Sequence, residues 1–214
     1  MAEVSALDFT GFDATPLERV PCDYLIVPQF VRAEALRQIN ADYPDISEPG
    51  NFPIEGLRCA PAFGRLVEEL TGTEMRRHFA AKFGIPLDHL ATTVTVRRYV
   101  APSDGSIHND SGRKKITVLI YFNEFWDQKG GRLRILRSSK DIEDFYVEVP
   151  PVGGTLLAFR RNDQSYHGFL PAMGERRTLQ MYWVEPRSKN KDKFRKRSVI
   201  GKVYRSIVNR KRRH

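Results

Sequence analysis

From Thr92 onward the sequence takes up a period of two. The stretches "TTVTVRRYV", "KKITVLIYFN", "GGRLRIL", "DFYVEV", "GGTLLAF" and "RTLQMYWV" follow one another to Glu185, separated by "PSDGS", "DQKGG" and "PPVGG". β-Branched and aromatic residues dominate these runs, and their alternation suits strands that bury one face. A succession of short strands with Gly- and Pro-rich turns restricts this half of the chain to a sandwich or a barrel.

The first ninety residues read differently. A polar opening leads to the apolar run "YLIVPQF", and in "VRAEALRQINADYP" Val31, Ala35, Leu36 and Ile39 fall at helical spacing before Pro44. After the loop "ISEPGNFPIEG", the stretch "PAFGRLVEELTGTEMRRHFAAKFG" opens on Pro61 and closes on Gly84. It reads as one or two helices, interrupted near Thr71 and Gly72. The expected class is therefore mainly β with N-terminal helices, an α+β arrangement. Residues 1–90 supply supporting helices within the same domain, residues 91–186 form the β core, and residues 187–214 form a basic tail.

With 214 residues, 41% of them hydrophobic, the chain can bury one core of ordinary size. Cys22 and Cys59 fit neither a disulfide framework nor a thiolate metal site. The opening residues lack the pattern of a secretory signal, and no run approaches a membrane span, so a cytoplasmic location is expected. The net charge of +9 is unevenly placed: 13 of the 35 Lys/Arg lie between Arg187 and His214, against one acid, Asp192. Residues 1–186 carry about −3, which separates the basic character from the folded part.

In "SIHNDS", His108 and Asp110 are two residues apart in what reads as a strand or its edge, where such side chains share a side. Both can reach one ion. A third ligand, His167 in "QSYHGFLP", follows "GGTLLAF", and a sandwich can return it beside the pair. Two histidines and a carboxylate on one face of a metal leave other positions open, the arrangement of non-haem Fe(II) oxygenases. No H-E-x-x-H helix points to a zinc hydrolase. His78 and His89 have no carboxylate at useful spacing and His214 lies in the tail, so they are set aside. An Fe(II) centre of this kind draws electrons from a bidentate 2-oxo acid, whose far carboxylate needs a buried arginine. In "GERRTLQMYW", Arg176, Thr178, Gln180 and Tyr182 share one strand face, and Arg177, Leu179, Met181 and Trp183 the other.

The ordered set "RRYV", "HND", "LIYFNEFWD", "GGRLRIL", "GGTLLAFRR", "YHGFLP" and "GERRTLQMYW" resembles the iron- and 2-oxoglutarate-dependent dioxygenases, most closely their prolyl-4-hydroxylase-type branch. The resemblance runs from about Thr92 to Trp183. It implies a double-stranded β-helix, or cupin-like jelly roll, with His108, Asp110 and His167 as iron ligands. It further implies that Arg176 clamps the 2-oxoglutarate carboxylate with Tyr121 as a hydroxyl donor, Thr178 and Tyr99 lying nearby; Arg177 competes for the clamp. The implied cofactors are Fe(II), 2-oxoglutarate and O2, with ascorbate as an accessory reductant. The implied reaction hydroxylates a C–H bond and releases succinate and CO2. The acceptor is a small molecule, a glycan or lipid-linked intermediate, or a protein side chain such as proline. Arg98, Arg113, Arg134 and Arg160 could line the mouth and favour an anionic substrate, but solvated surface positions are the expected reading for most of them.

In the tail, Val199, Ile200, Val203, Tyr204, Ile207 and Val208 share one half of a helical wheel opposite Lys202, Arg205 and Asn209, with Ser198 as a cap. Such a helix reads as a contact for an anionic membrane surface or a protein partner. Two other functions compete with the hydroxylase: an oxygenase directed to nucleic acid by the tail, and a non-catalytic jelly-roll binding module. The slightly acidic body disfavours the first, and the retained ligand set disfavours the second.

Overall fold

A computed structural model describes residues 5–186. Four α-helices lie within the first part of the chain, α1 (Phe9–Ala14), α2 (Ala33–Ala41), α3 (Pro61–Thr71) and α4 (Thr73–Phe83). Nine strands run through the whole, β1 (Tyr24–Val27), β2 (Phe52–Pro53), β3 (Ala91–Val100), β4 (Lys114–Tyr121), β5 (Leu133–Leu136), β6 (Phe145–Val149), β7 (Leu156–Arg160), β8 (His167–Gly168) and β9 (Gly174–Val184). They form a six-stranded sheet in the order β1-β7-β4-β9-β3-β2 and a three-stranded sheet in the order β6-β5-β8. Every pairing within them is antiparallel. The two sheets form the double-stranded β-helix, and residues up to Val184 pack as one unit.

Strand alternation builds two cores on opposite faces of the large sheet. Ile116, Val118 and Ile120 of β4, Leu156 and Ala158 of β7, and Leu179, Met181 and Trp183 of β9 pack against the helices. Their strand neighbours Leu119, Tyr121, Leu157 and Phe159 point the other way and meet Leu133, Ile135 and Val149 of the small sheet. A period of two directs each residue to one layer or the other.

The helices follow the same logic at their own period. α3 buries Phe63, Leu66 and Leu70, with Pro61 at its start. The Asp42 carboxylate, just past α2, accepts a 2.7 Å hydrogen bond from the Ala62 amide, so one helix end caps the next. Gly72 is extended and separates α3 from α4. α4 buries Met75, His78, Phe79 and Phe83 and stops at Gly84 in the left-handed conformation.

Two features escaped the sequence. The polar opening contains α1, whose six residues include a glycine and make a poor helix alone. Tertiary packing holds it: Phe12 is fully buried against Phe30 and Phe79. His78 does have a carboxylate partner, since its Nδ1 lies 2.9 Å from Asp13 at the end of α1 and its ring stacks on Phe9. That partner comes from 65 residues away, beyond any local spacing rule. Cys22 and Cys59 are free thiols. No helix among the described residues is long and apolar enough to cross a membrane, and the amphipathic helix expected over residues 198–209 lies outside them.

Leu179 is fully buried between sheet and helices, whereas Phe125 is 73% exposed. Leu179→Ala is expected to lower the unfolding free energy by about 2–5 kcal/mol. Phe125→Ala should change it by less than about 0.5 kcal/mol, both read from urea titrations.

Candidate metal centre

The stretch between Val100 and Lys114 is loop, not strand, apart from one isolated bridge. In that bridge His108 and His167 exchange both backbone hydrogen bonds, each 3.0 Å. Such a pair brings two side chains close on one side of the ladder, and the ring centroids are 4.2 Å apart. His167 is anchored in turn through β8, where it lies opposite Ile135. The middle residue of "HND" turns away: Asn109 donates to the Asn162 carbonyl at 2.7 Å and accepts from the Ser165 hydroxyl at 2.8 Å. This tie reproduces strand-like alternation inside a loop, so Asp110 returns to the side of His108. One ligand atom from each of His108, Asp110 and His167 falls within 4.8 Å of the others.

Close packing under the loop requires glycine. Gly105 has φ +91°, and a Cβ there would lie 2.4 Å from the Phe169 carbonyl oxygen. The Phe169 amide donates to the Gly105 carbonyl at 2.9 Å, fixing the approach to His108 against the exit from His167.

The hydrogen bonds also set the protonation states. Nδ1 of His108 lies 2.9 Å from the Ser106 carbonyl and Nδ1 of His167 lies 3.0 Å from the Ser165 carbonyl. A carbonyl only accepts, so each Nδ1 is the donor and each Nε2 is the ring nitrogen left for a metal. Burial, together with the neighbouring His108, pulls His167 down to about 4, against the opposing charge of Asp110. Burial alone would raise the Asp110 carboxyl, but His167 and Lys114 outweigh it and hold it below the usual carboxylate range. Lys114 Nζ donates to one of its oxygens at 2.6 Å and Thr117 to the other at 2.5 Å. Two imidazoles and one ionised carboxylate on one side suit a divalent iron and leave its other positions open.

These residues line a cavity of about 390 Å³, which Arg176 also reaches. Arg176 is 1% exposed, donates to the Gly131 carbonyl at 2.7 Å and to the Thr178 hydroxyl at 3.1 Å, and leaves Nη2 without a partner. No carboxylate of the described residues pairs with it, and burial pulls its pKa below the usual arginine value. Its guanidinium carbon lies 5.3 Å from the ring of Tyr121, whose hydroxyl is also buried without a partner and whose pKa burial raises. Arg177 turns to the helix side, paired with Glu175 at 2.8 Å and reaching the Asn40 carbonyl in α2. Arg176 and not Arg177 therefore faces the cavity.

Tyr99 is not among the residues that line the cavity; the Arg98 guanidinium lies over its ring. A register shift between Arg97 and Tyr99 breaks the alternation of β3 at that point, and Arg97 takes the inward place. Arg98, Arg113, Arg134 and Arg160, for most of which a surface position rather than the mouth was expected, are absent from the lining. Arg98 pairs with Glu175 and Asp45, and Arg134 with Glu148 and Glu143. The lining residues the sequence did not single out are Arg97, Lys114 and Thr117, together with Asn51 and Asp104. Only Thr117 had a usable signal, since it shares a strand face with Tyr121.

Thr117→Val removes one of the two donors that orient Asp110. It is expected to weaken Mn(II) binding by about 10–100-fold in calorimetry, with Asp110→Asn weaker still.

Residues 89–185 match the family model of the 2OG-Fe(II) oxygenase superfamily. No curated protein matches the sequence. A Pseudomonas putida prolyl-4-hydroxylase is 19% identical with a TM-score of 0.53, over 78% of this chain and 90% of that one. The structure of prolyl 4-hydroxylases from Phytophthora capsici is 17% identical with a TM-score of 0.56, over 86% and 68%. A viral collagen prolyl hydroxylase from Paramecium Bursaria Chlorella virus-1 is 15% identical with a TM-score of 0.52, over 77% and 96%. At these identities the likeness is one of fold. Through residues 89–185, this chain is similar to the 2OG-Fe(II) oxygenase superfamily.

Proposed function

We propose that the chain is an Fe(II)- and 2-oxoglutarate-dependent hydroxylase in which His108, Asp110 and His167 hold the iron and Arg176 holds the distal carboxylate of 2-oxoglutarate. The observation that carries this reading is the state of Arg176. A guanidinium buried to 1% exposure with no carboxylate partner and an idle Nη2 is costly unless a ligand supplies the missing anion. It shares its cavity with the three candidate iron ligands, and the idle Tyr121 hydroxyl lies beside it. Thr178 accepts from the guanidinium, while Arg177 is paired with Glu175.

When bound, iron and 2-oxoglutarate supply the oxidising chemistry, in which O2 and the 2-oxo acid are consumed, succinate and CO2 leave, and a substrate C–H becomes C–OH. The chain supplies position and charge. Ser106 and Ser165 fix the imidazoles with Nε2 forward, and Thr117 and Lys114 keep Asp110 ionised and oriented. Arg176 and Tyr121 together offer donors to one carboxylate, which sets the co-substrate's direction in the cavity. Leu119, Leu133 and Phe169 supply the apolar lining that limits water.

The acceptor C–H belongs to a substrate not yet identified. Several solved structures of similar fold are named as prolyl hydroxylases, which makes a prolyl ring the first acceptor to try. Among the described residues the cavity carries no set of base-stacking aromatics that would favour nucleic acid.

Succinate formation from 2-oxoglutarate under air by the iron-loaded protein tests the reading. His108→Ala is expected to abolish it. Arg176→Gln should raise the KM for 2-oxoglutarate by about 100-fold or more, the cost of removing a buried charge partner, while Mn(II) affinity measured without co-substrate stays close to that of the parent. Arg176→Gln with an unchanged KM for 2-oxoglutarate would remove the clamp from this reading.

A further inference from the structure

Three cationic side chains line the cavity, Arg97, Lys114 and Arg176, against two carboxylates, Asp104 and Asp110. On the reading above, iron(II) and the dianion of 2-oxoglutarate cancel one another, so the loaded site retains one positive charge. Lys114 sits on Asp110 and over the Tyr182 ring, 3.6 Å from its centroid. Arg176 lies deepest and faces the co-substrate. Arg97 remains, 9% exposed and held rigidly: Nε donates to Asn51 at 2.9 Å and Nη1 to Asp104 at 2.5 Å, and neither contact engages Nη2. Asp104 is itself fixed by the Ala101 amide at 2.9 Å, and the Arg97 carbonyl accepts from the Tyr43 hydroxyl at 2.7 Å. Around it the wall is polar, with Gln180 accepting from both Asn51 and Tyr182.

We infer that Arg97 forms an anion subsite in the wall of the cavity and that the substrate carries a single carboxylate there. The inference rests on the proposed roles of the iron ligands and Arg176. One surplus charge in a cavity partly closed to water is matched by a monoanion; a phosphate dianion overshoots, and a neutral acceptor leaves the charge unanswered. Asn51 and Asp104 set the guanidinium in place beforehand, so little side-chain freedom is lost when an anion arrives. Unbroken alternation from Val96 turns Arg97 inward opposite Thr178, and the register shift just after it displaces Tyr99, whose ring would otherwise compete for the same wall.

The test uses the full chain loaded with Mn(II) and saturating 2-oxoglutarate, with proton relaxation of dissolved probes as the readout. Relaxation of the 2-oxoglutarate methylene protons by the bound metal checks the proposed function first. Propionate is then compared with propionamide. Propionate is expected to be relaxed and propionamide not, and Arg97→Gln should weaken the propionate effect by about tenfold or more, with Arg97→Lys in between. A second pair, acetyl-aspartyl amide against acetyl-asparaginyl amide, separates a carboxylate on a polypeptide from one on a small free acid. The pair with the larger discrimination names the source.

Equal relaxation of acid and amide in both pairs overturns the inference. So does a propionate effect unchanged in both Arg97 variants, which would mean direct coordination to the metal. Failure of 2-oxoglutarate itself to be relaxed in the parent protein brings down the proposed function and this inference with it. 2-Oxoglutarate binding without carboxylate selectivity brings down the inference alone.

Discussion

Two backbone hydrogen bonds between His108 and His167 organise this molecule. They join a loop after β3 to the two-residue strand β8, elements almost sixty residues apart, and no other strand pairing holds the first ligand. Each partner has its own support. Gly105 allows the approach of Phe169 on one side, and the Asn109 link to the 162–165 turn holds the other. A candidate ligand set drawn from a loop and a two-residue strand thus gains the precision of a sheet without a continuous strand at His108 and Asp110.

The large sheet divides its residues between two tasks. One face meets the helices and is apolar, while the other meets the small sheet and becomes polar near its open end. Arg176 and Arg177 show the consequence. They are chemically identical neighbours, yet one lies at 1% exposure beside Tyr121 and the other is spent on Glu175 and Asn40. The usual expectation that polar faces point to water is inverted on β9, because its outer side is covered by helices and its inner side encloses a site for charged ligands.

Much of this was legible in the sequence. The change of period at Thr92 located the sheets, the break at Thr71 and Gly72 separated two helices, and strand parity assigned Arg176, Thr178, Gln180 and Tyr182 to one face. Parity alone did not say which face is inside, since that depends on where the helices pack. Tyr99 was misplaced because a bulge is invisible to a rule of two. Arg97 was passed over, because residue type carries no information on direction. α1 and the His78–Asp13 contact depend on long-range packing, which short windows do not contain.

A buried guanidinium that waits for an anion also changes how the protein endures. With co-substrate absent, the charge of Arg176 and the hydroxyl of Tyr121 remain desolvated and unanswered, and the folded state is correspondingly less favoured over the unfolded one. A ligand that binds only the folded state stabilises it by mass action. On the proposed reading of Arg176, the lifetime of such a chain in a cell, where proteases sample its unfolded fraction, would be coupled to the abundance of its co-substrate as well as to its own sequence.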